Sequence, residues 1–253
     1  MEKDIVPGLL EAINKDFDNA INDNEKLKVL QELIKNGGGD YTDLTNISQL
    51  IGEDLSKSLL NNITGEALPD GKMYFNIGDR VLTPTLAKDY EILASLCADV
   101  QTNLNKNVGL GIKGIKPTLN QSKVKGFVDK MTTGKFEDLK WMLGEPIVNF
   151  SQSVIDDGVM ENAEFQAKSG IETTVERIAV GKCCEWCAKL EGKYTYPDVP
   201  KEVFARHRSC RCLVTYKPGN GKAQNVHSKK WVEPGEYEQI KKRMAVGKSA
   251  EQK

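Results

Sequence analysis

Apolar residues recur at three- and four-residue intervals over most of the first 170 positions, the spacing that places them on one face of a helix. Leu9, Ile13, Phe17, Ala20, Leu27, Leu30 and Ile34 mark the first such stretch. The N-D-N string at 22–24 predicts a break into two helices, and Gly37, Gly38 and Gly39 end the segment. A second pattern runs through Ile47, Leu50, Ile51, Leu55, Leu59 and Ile63, with Asp43 or Thr45 as its expected cap. It closes near Gly65, before the L-P-D-G-K turn at 68–72. Residues 73–82, M-Y-F-N-I-G-D-R-V-L, read as extended, and a helix is expected to open at Pro84 in the first-turn position that proline favours, ending near Asn107. Within it Leu86, Tyr90, Leu93, Cys97, Val100 and Leu104 keep helical spacing, which makes Cys97 a core thiol.

The G-L-G-I-K-G-I-K-P string at 109–117 reads as a flexible connector. Helices are then expected over Gln121–Met131, from Phe136 to a break or kink at Pro146, and from Ile147 to Lys168, closed by Ser169 and Gly170. After Gly170 the period changes. T-T-V-E-R-I-A-V at 173–180 alternates as a strand does, a second strand is predicted at 213–217, and L-E-G-K-Y-T-Y-P at 190–197 reads as a short hairpin. The fold class predicted is a mainly α N-terminal body (1–145), a small α+β module (146–220) and a C-terminal tail (221–253).

With 39% hydrophobic and 28% charged residues the chain has the balance of a globular protein, while 7% aromatic residues predict a mostly aliphatic core. The acidic start, M-E-K-D, lacks the apolar run of a signal peptide, so the chain is expected to act inside the cell that makes it. No stretch approaches the roughly 18 to 20 apolar residues of a membrane span, which argues against a membrane partner. Residues 201–253 carry 13 Lys and Arg against 5 Asp and Glu, whereas the rest carries 22 against 31. A basic tail of this kind fits either a polyanion or an acidic protein surface. Lys229 and Lys230 are the natural phosphate contacts if it meets DNA, with Trp231 as a stacking platform.

Five of the six cysteines, Cys183, Cys184, Cys187, Cys210 and Cys212, fall within thirty residues, a clustering that reads as metal binding in a reducing compartment. Zinc takes four tetrahedral sulfur or nitrogen ligands, so two short-range donor pairs must be brought together by a loop. Cys184 and Cys187 supply one pair, and His207, Cys210 and Cys212 offer three donors for the other. The preferred set is Cys184, Cys187, His207 and Cys210, with Cys212 competing with His207 for the last place. Cys183 points away from its neighbour in an extended chain. Trp186, between the first two cysteines, is expected to pack under the knuckle.

Catalytic readings of the cluster lack partners. A zinc deaminase needs H-x-E ahead of its cysteine pair, but His207 and His227 both follow it. Thiol exchange at C-x-x-C leaves the second cluster unexplained, and a nuclease using His227 lacks an acidic metal pair. The E-x-E string at Glu236–Glu238 puts acids in the first turn and bases in the last turn of an ordinary helix. The predicted role of the metal is therefore structural.

The strings C-E-W-C-A-K-L-E-G-K-Y and H-R-S-C-R-C, preceded by M-E-N-A-E-F-Q-A-K-S-G-I-E, resemble the C-terminal signature of the phage Mu F-like head morphogenesis, or minor capsid, proteins over residues 150–220. The resemblance implies a non-enzymatic virion protein that meets the portal and major capsid proteins. It would join the head in the host cytoplasm and assist DNA packaging or ejection. It also implies a structural role for Cys184, Cys187, His207, Cys210 and Cys212. The runner-up is a zinc-ribbon nucleic-acid-binding protein or a metal-dependent nuclease of a mobile element.

Overall fold

The computed structural model describes residues 4–181 and 183–219, together with the backbone of two short strands at 223–225 and 230–232. A mainly helical body, α1 (Val6–Asp23), α2 (Glu25–Lys35), α3 (Tyr41–Asn62), α4 (Phe75–Asn107), α5 (Gln121–Met131), α6 (Phe136–Leu139) and α7 (Glu145–Lys168), precedes a small β-containing region. That region holds β1 (Thr173–Ile178), the one-turn α8 (Glu185–Lys189), β2 (Gly192–Thr195) and β3 (Leu213–Pro218), then β4 (Ala223–Asn225) paired with β5 (Lys230–Val232). Among the described residues no helix is long and apolar enough to cross a membrane.

The predicted break between the first two helices is present, with Asn24 capping α2 by accepting the Leu27 amide at 3.2 Å. α3 starts earlier than expected. Asp40 and Asp43 form a reciprocal capping box there, so Asp43 serves as its third residue and Thr45 lies inside the helix. The larger correction concerns residues 73–82: Met73 and Tyr74 precede the helix, Tyr74 being extended as expected, but α4 begins at Phe75 and carries Pro84 in its interior. Proline forfeits one backbone hydrogen bond. Ile77, Val81, Leu82, Leu86 and Leu93 are nonetheless buried on a continuous helical face, and that burial outweighs both the lost bond and the local β propensity. The break expected at Pro146 falls at Gly144, where the 3-10 turn Lys140–Leu143 ends and α7 begins with Pro146 in its first turn.

α7 is packed against α3 and α4 and is buried on nearly every side. Gly52 and Gly158 permit these close crossings: a Cβ at Gly52 would lie 2.8 Å from the Val148 Cα, and one at Gly158 would lie 2.2 Å from the Cys97 sulfur. Cys97 itself is a buried core thiol. Being enclosed, most polar side chains of α7 find partners inside the protein, Gln152 being left without one. Asn162 bonds both backbone groups of Ile115, at 2.9 and 3.0 Å, and Tyr90 donates to the Pro117 carbonyl at 2.6 Å. The 109–117 connector is thus strapped to the body instead of hanging free. Gln166 donates to Asn105 at 2.8 Å and accepts from the Tyr216 hydroxyl on β3.

β1 is the middle strand of an antiparallel β2-β1-β3 sheet in which Val175 lies opposite both Tyr194 and Tyr216. Alternate residues Thr173, Val175 and Arg177 turn inward, whereas Glu176 points out toward Lys193 and Lys217. Residues 190–197 do not fold back on themselves as expected. They supply the single strand β2, and the turn of the β1–β2 hairpin is the cysteine knuckle itself.

A candidate metal centre

β1 leads through Gly181, at a φ of 66°, into Cys184, which caps α8, so that Cys184 and Cys187 sit three residues apart on one face of a single turn. The second donor group arrives after the 3-10 turn at Lys201–Phe204. Ser209 adopts a φ of 60°, and the Cys210 amide donates to the His207 carbonyl at 3.1 Å. This tight turn brings His207 and Cys210 back toward α8.

Two groups of donors result, each with its ligand atoms within 4.8 Å of one another: Cys184, Cys187 and His207, and Cys187, Cys210 and Cys212. Cys187 is common to both. The His207 Nε2 lies 3.2 Å from the Cys184 sulfur and 3.0 Å from that of Cys187, and the Cys187 and Cys210 sulfurs are 3.8 Å apart. A tetrahedral ion with metal–sulfur bonds of about 2.3 Å places neighbouring sulfurs about 3.8 Å apart, so these donors fit a metal ion of that kind. His207 is also oriented for the task. Its Nδ1 meets the Arg208 carbonyl at 2.7 Å, a bond that puts the proton on Nδ1 and leaves the Nε2 lone pair facing the sulfurs. Cys183 belongs to neither group.

Cys187, Cys210 and Cys212 are buried and Cys184 is exposed. Backbone amides, that of Cys187 foremost, hold the Cys184 thiol below its ordinary value. Burial pushes the Cys187 thiol up to about 12, against the opposing pull of the Arg177 guanidinium. A thiol so reluctant to ionise in its own right calls for a cation beside it if it is to serve as thiolate.

The cluster is tied to the body along one face of α7. Asn149 donates to the His207 carbonyl at 2.9 Å, and both carboxylate oxygens of Glu145 accept from the Arg211 Nη2, at 3.0 and 2.9 Å. Asp156 pairs with Arg206, whose side chain is buried and whose Nη1 also reaches the Cys212 carbonyl at 3.0 Å. Glu145, Asn149 and Asp156 lie four and seven residues apart, the repeat of one helical face. None of these anchors follows from ligand spacing, although Arg206 just before H-R-S-C-R-C and Arg211 inside it are a signal that charges enter the module.

Trp186 corrects another expectation. It is 39% exposed and lies over the outside of the knuckle, edge-on to His207 with ring centroids 5.8 Å apart. Trp141, 42% exposed, stacks under the Arg208 guanidinium at 4.9 Å, so both described tryptophans flank the His207–Arg208 pair. Of the predicted tail contacts, Lys229 lies outside the described residues, and Lys230 and Trp231 are placed as backbone in β5. His227 and Glu236–Glu238 also lie outside them. Comparison of the chain with protein-family models, with curated proteins and with solved structures finds no match.

Proposed function

We propose that this chain is a non-enzymatic minor head protein of a bacteriophage, built around a structural zinc ion, that joins the head near the portal and assists assembly and DNA packaging or ejection. The observation that carries the reading is the cluster itself: three of five donors are buried, and the loop bearing the second group is anchored to α7 by Glu145, Asn149 and Asp156. Such a site suits holding a shape better than admitting a substrate, since catalytic zinc keeps a position open to solvent. Zinc is the metal favoured by thiolates combined with an imidazole in tetrahedral array. The sequence signature around these donors supplies the phage context, with portal and major capsid proteins as partners and the basic tail directed at DNA. The test is mass spectrometry of particles purified from a host that expresses the gene in its native neighbourhood. Co-purification with the portal at a few copies per particle is expected, and absence from particles would overturn the reading.

A second reading, a zinc module that binds or cuts nucleic acid, is favoured by the exposed Arg208–Trp141 stack beside the metal cluster, a pairing of cation and aromatic face suited to phosphate and base. It predicts DNA retention that weakens steeply with salt and falls several-fold in Trp141→Ala, or cleavage with added divalent metal that His227→Ala abolishes. DNA retained in neither assay sinks it.

A further inference from the structure

Arg177 occupies an inward position of β1 where alternation calls for an apolar side chain, and it is 1% exposed. Burying a guanidinium without an anion costs several kcal/mol. Among the described residues no carboxylate pairs with it. Its Nη1 donates to the carbonyls of Val203 and Ala205, the latter at 3.1 Å, and its plane lies 5.4 Å from the Trp186 ring. Those neighbours offer only partial negative charge. Its Nη2, however, points at two sulfurs at once, 3.6 Å from that of Cys187 and 3.7 Å from that of Cys210.

We propose that Arg177 is the outer-sphere counter-ion of the metal centre, donating hydrogen bonds to the metal-bound thiolates of Cys187 and Cys210. The inference rests on the reading of the cluster as metal-bound and goes beyond it in two respects. It assigns Arg177 a role as a positioning residue, since bonds from Nη2 fix the directions of two sulfurs while Nη1 is held by the 203–205 backbone. It also constrains the ligand set by charge. Three thiolates and a neutral imidazole on a divalent ion leave one negative charge, which Arg177 cancels, whereas four thiolates would leave a buried negative charge over. Arg177 thereby favours His207 as one of the four ligands. Lysine cannot replace it, because one ammonium cannot span two carbonyls and two sulfurs in the plane of a fork.

The experiment compares the full chain with Arg177→Met and Arg177→Lys, loaded with zinc or with cobalt(II) as a spectroscopic substitute. Zinc affinity, read by competition with a chromophoric chelator, is expected to fall about 10- to 100-fold in Arg177→Met. The sulfur-to-cobalt charge-transfer band should move to lower energy as the thiolates lose their hydrogen bonds. Arg177→Lys, which keeps the charge and guards against a folding failure of the methionine variant, should show the same band shift to a smaller extent. A purely structural arginine would lower stability equally with and without metal and leave the band in place. Normal metal uptake with unmoved bands and unchanged affinity in both variants overturns the inference alone. Failure of the unaltered chain to take up zinc or cobalt overturns the metal reading, and the inference with it.

Discussion

α3 meets α7 through aliphatic side chains and a glycine, whereas the loop carrying His207, Cys210 and Cys212 meets the same α7 through an aspartate, a glutamate and an asparagine. One helix therefore has an apolar contact that holds the body and a polar contact that positions a cluster. Leu44, Ile47, Ile51, Leu55 and Leu59 of α3 are fully buried in the core of the body, each such side chain being worth about 1.5–3 kcal/mol on burial. Around the second, the cysteines form their own small buried cluster, separate from the main core. Burial in the body is non-directional and tolerates changes of shape. The sheet of the module joins that core through Val175, Val203, Phe204, Val214 and Tyr216, but the cysteine knuckle depends on directed bonds to particular atoms, so single-atom changes there should have the larger consequences.

The largest effect is expected from Cys187, the one donor shared by both ligand groups. On the zinc reading, Cys187→Ser, or removal of metal by a chelator, should take away the knuckle's main support, since structural zinc in small modules contributes about 10–16 kcal/mol of apparent binding energy. Hydrogen exchange should then become fast over residues 184–212, while the amides of α3 and α7 stay protected. Cys184→Ser and Cys212→Ser should each weaken zinc less than Cys187→Ser, because each leaves one complete group of three. Loss of protection in α3 as well would show that the two regions fold as one and break the contrast.

The tether comes next. Asp156→Ala leaves the buried Arg206 guanidinium without its anion, and removal of one partner of a buried pair costs about 3–5 kcal/mol. Denaturant unfolding should register that loss, and Asp156→Leu combined with Arg206→Met should recover most of it, since the penalty lies in the stranded charge. A loss below about 1 kcal/mol in Asp156→Ala would mean that the Asp156–Arg206 pair does not tether the module.

Periodicity found the body because its contacts are apolar. The break at Asn24, the helical face through Cys97 and the bounds of α5 are all visible as apolar spacing and turn residues. Residues 75–82 look extended in the sequence because the aromatic and β-branched run is locally strand-like, and only the tertiary burial of Ile77 and Val81 makes it helical. The donors were legible for a different reason: thiols and imidazole at ligand spacing have few other uses. What joins the two regions was not legible. An acid on α7 does not announce that its partner lies 50 residues away, as that of Asp156 does. Arg177 could have been noticed, since the alternation of β1 puts it on the Val175 face, where a charge needs an explanation.

The smallest effect tests how the two regions differ in their treatment of a buried charge. Every buried charge in the module faces an opposite charge or a sulfur, but Asp89, fully buried in α4, is met only by the Ser151 hydroxyl at 2.8 Å, and its other oxygen has no partner. Burial raises its carboxyl to about 7, with the serine bond pulling weakly the other way. The folded protein therefore keeps a proton on Asp89 at pH values where the unfolded chain, titrating near 3.8, has released it. Unfolding in that window releases a proton, so the contribution of Asp89 to stability is fully present below about pH 4 and falls by about 1.4 kcal/mol per pH unit until about pH 7, where the slope ends. Asp89→Asn has nothing to titrate. The difference in unfolding free energy between the unaltered chain and this variant, measured at pH 5 and at pH 6, should shrink by about that amount. A difference that does not change with pH would mean that Asp89 is ionised in the folded protein, and that the body, like the module, holds a compensated charge.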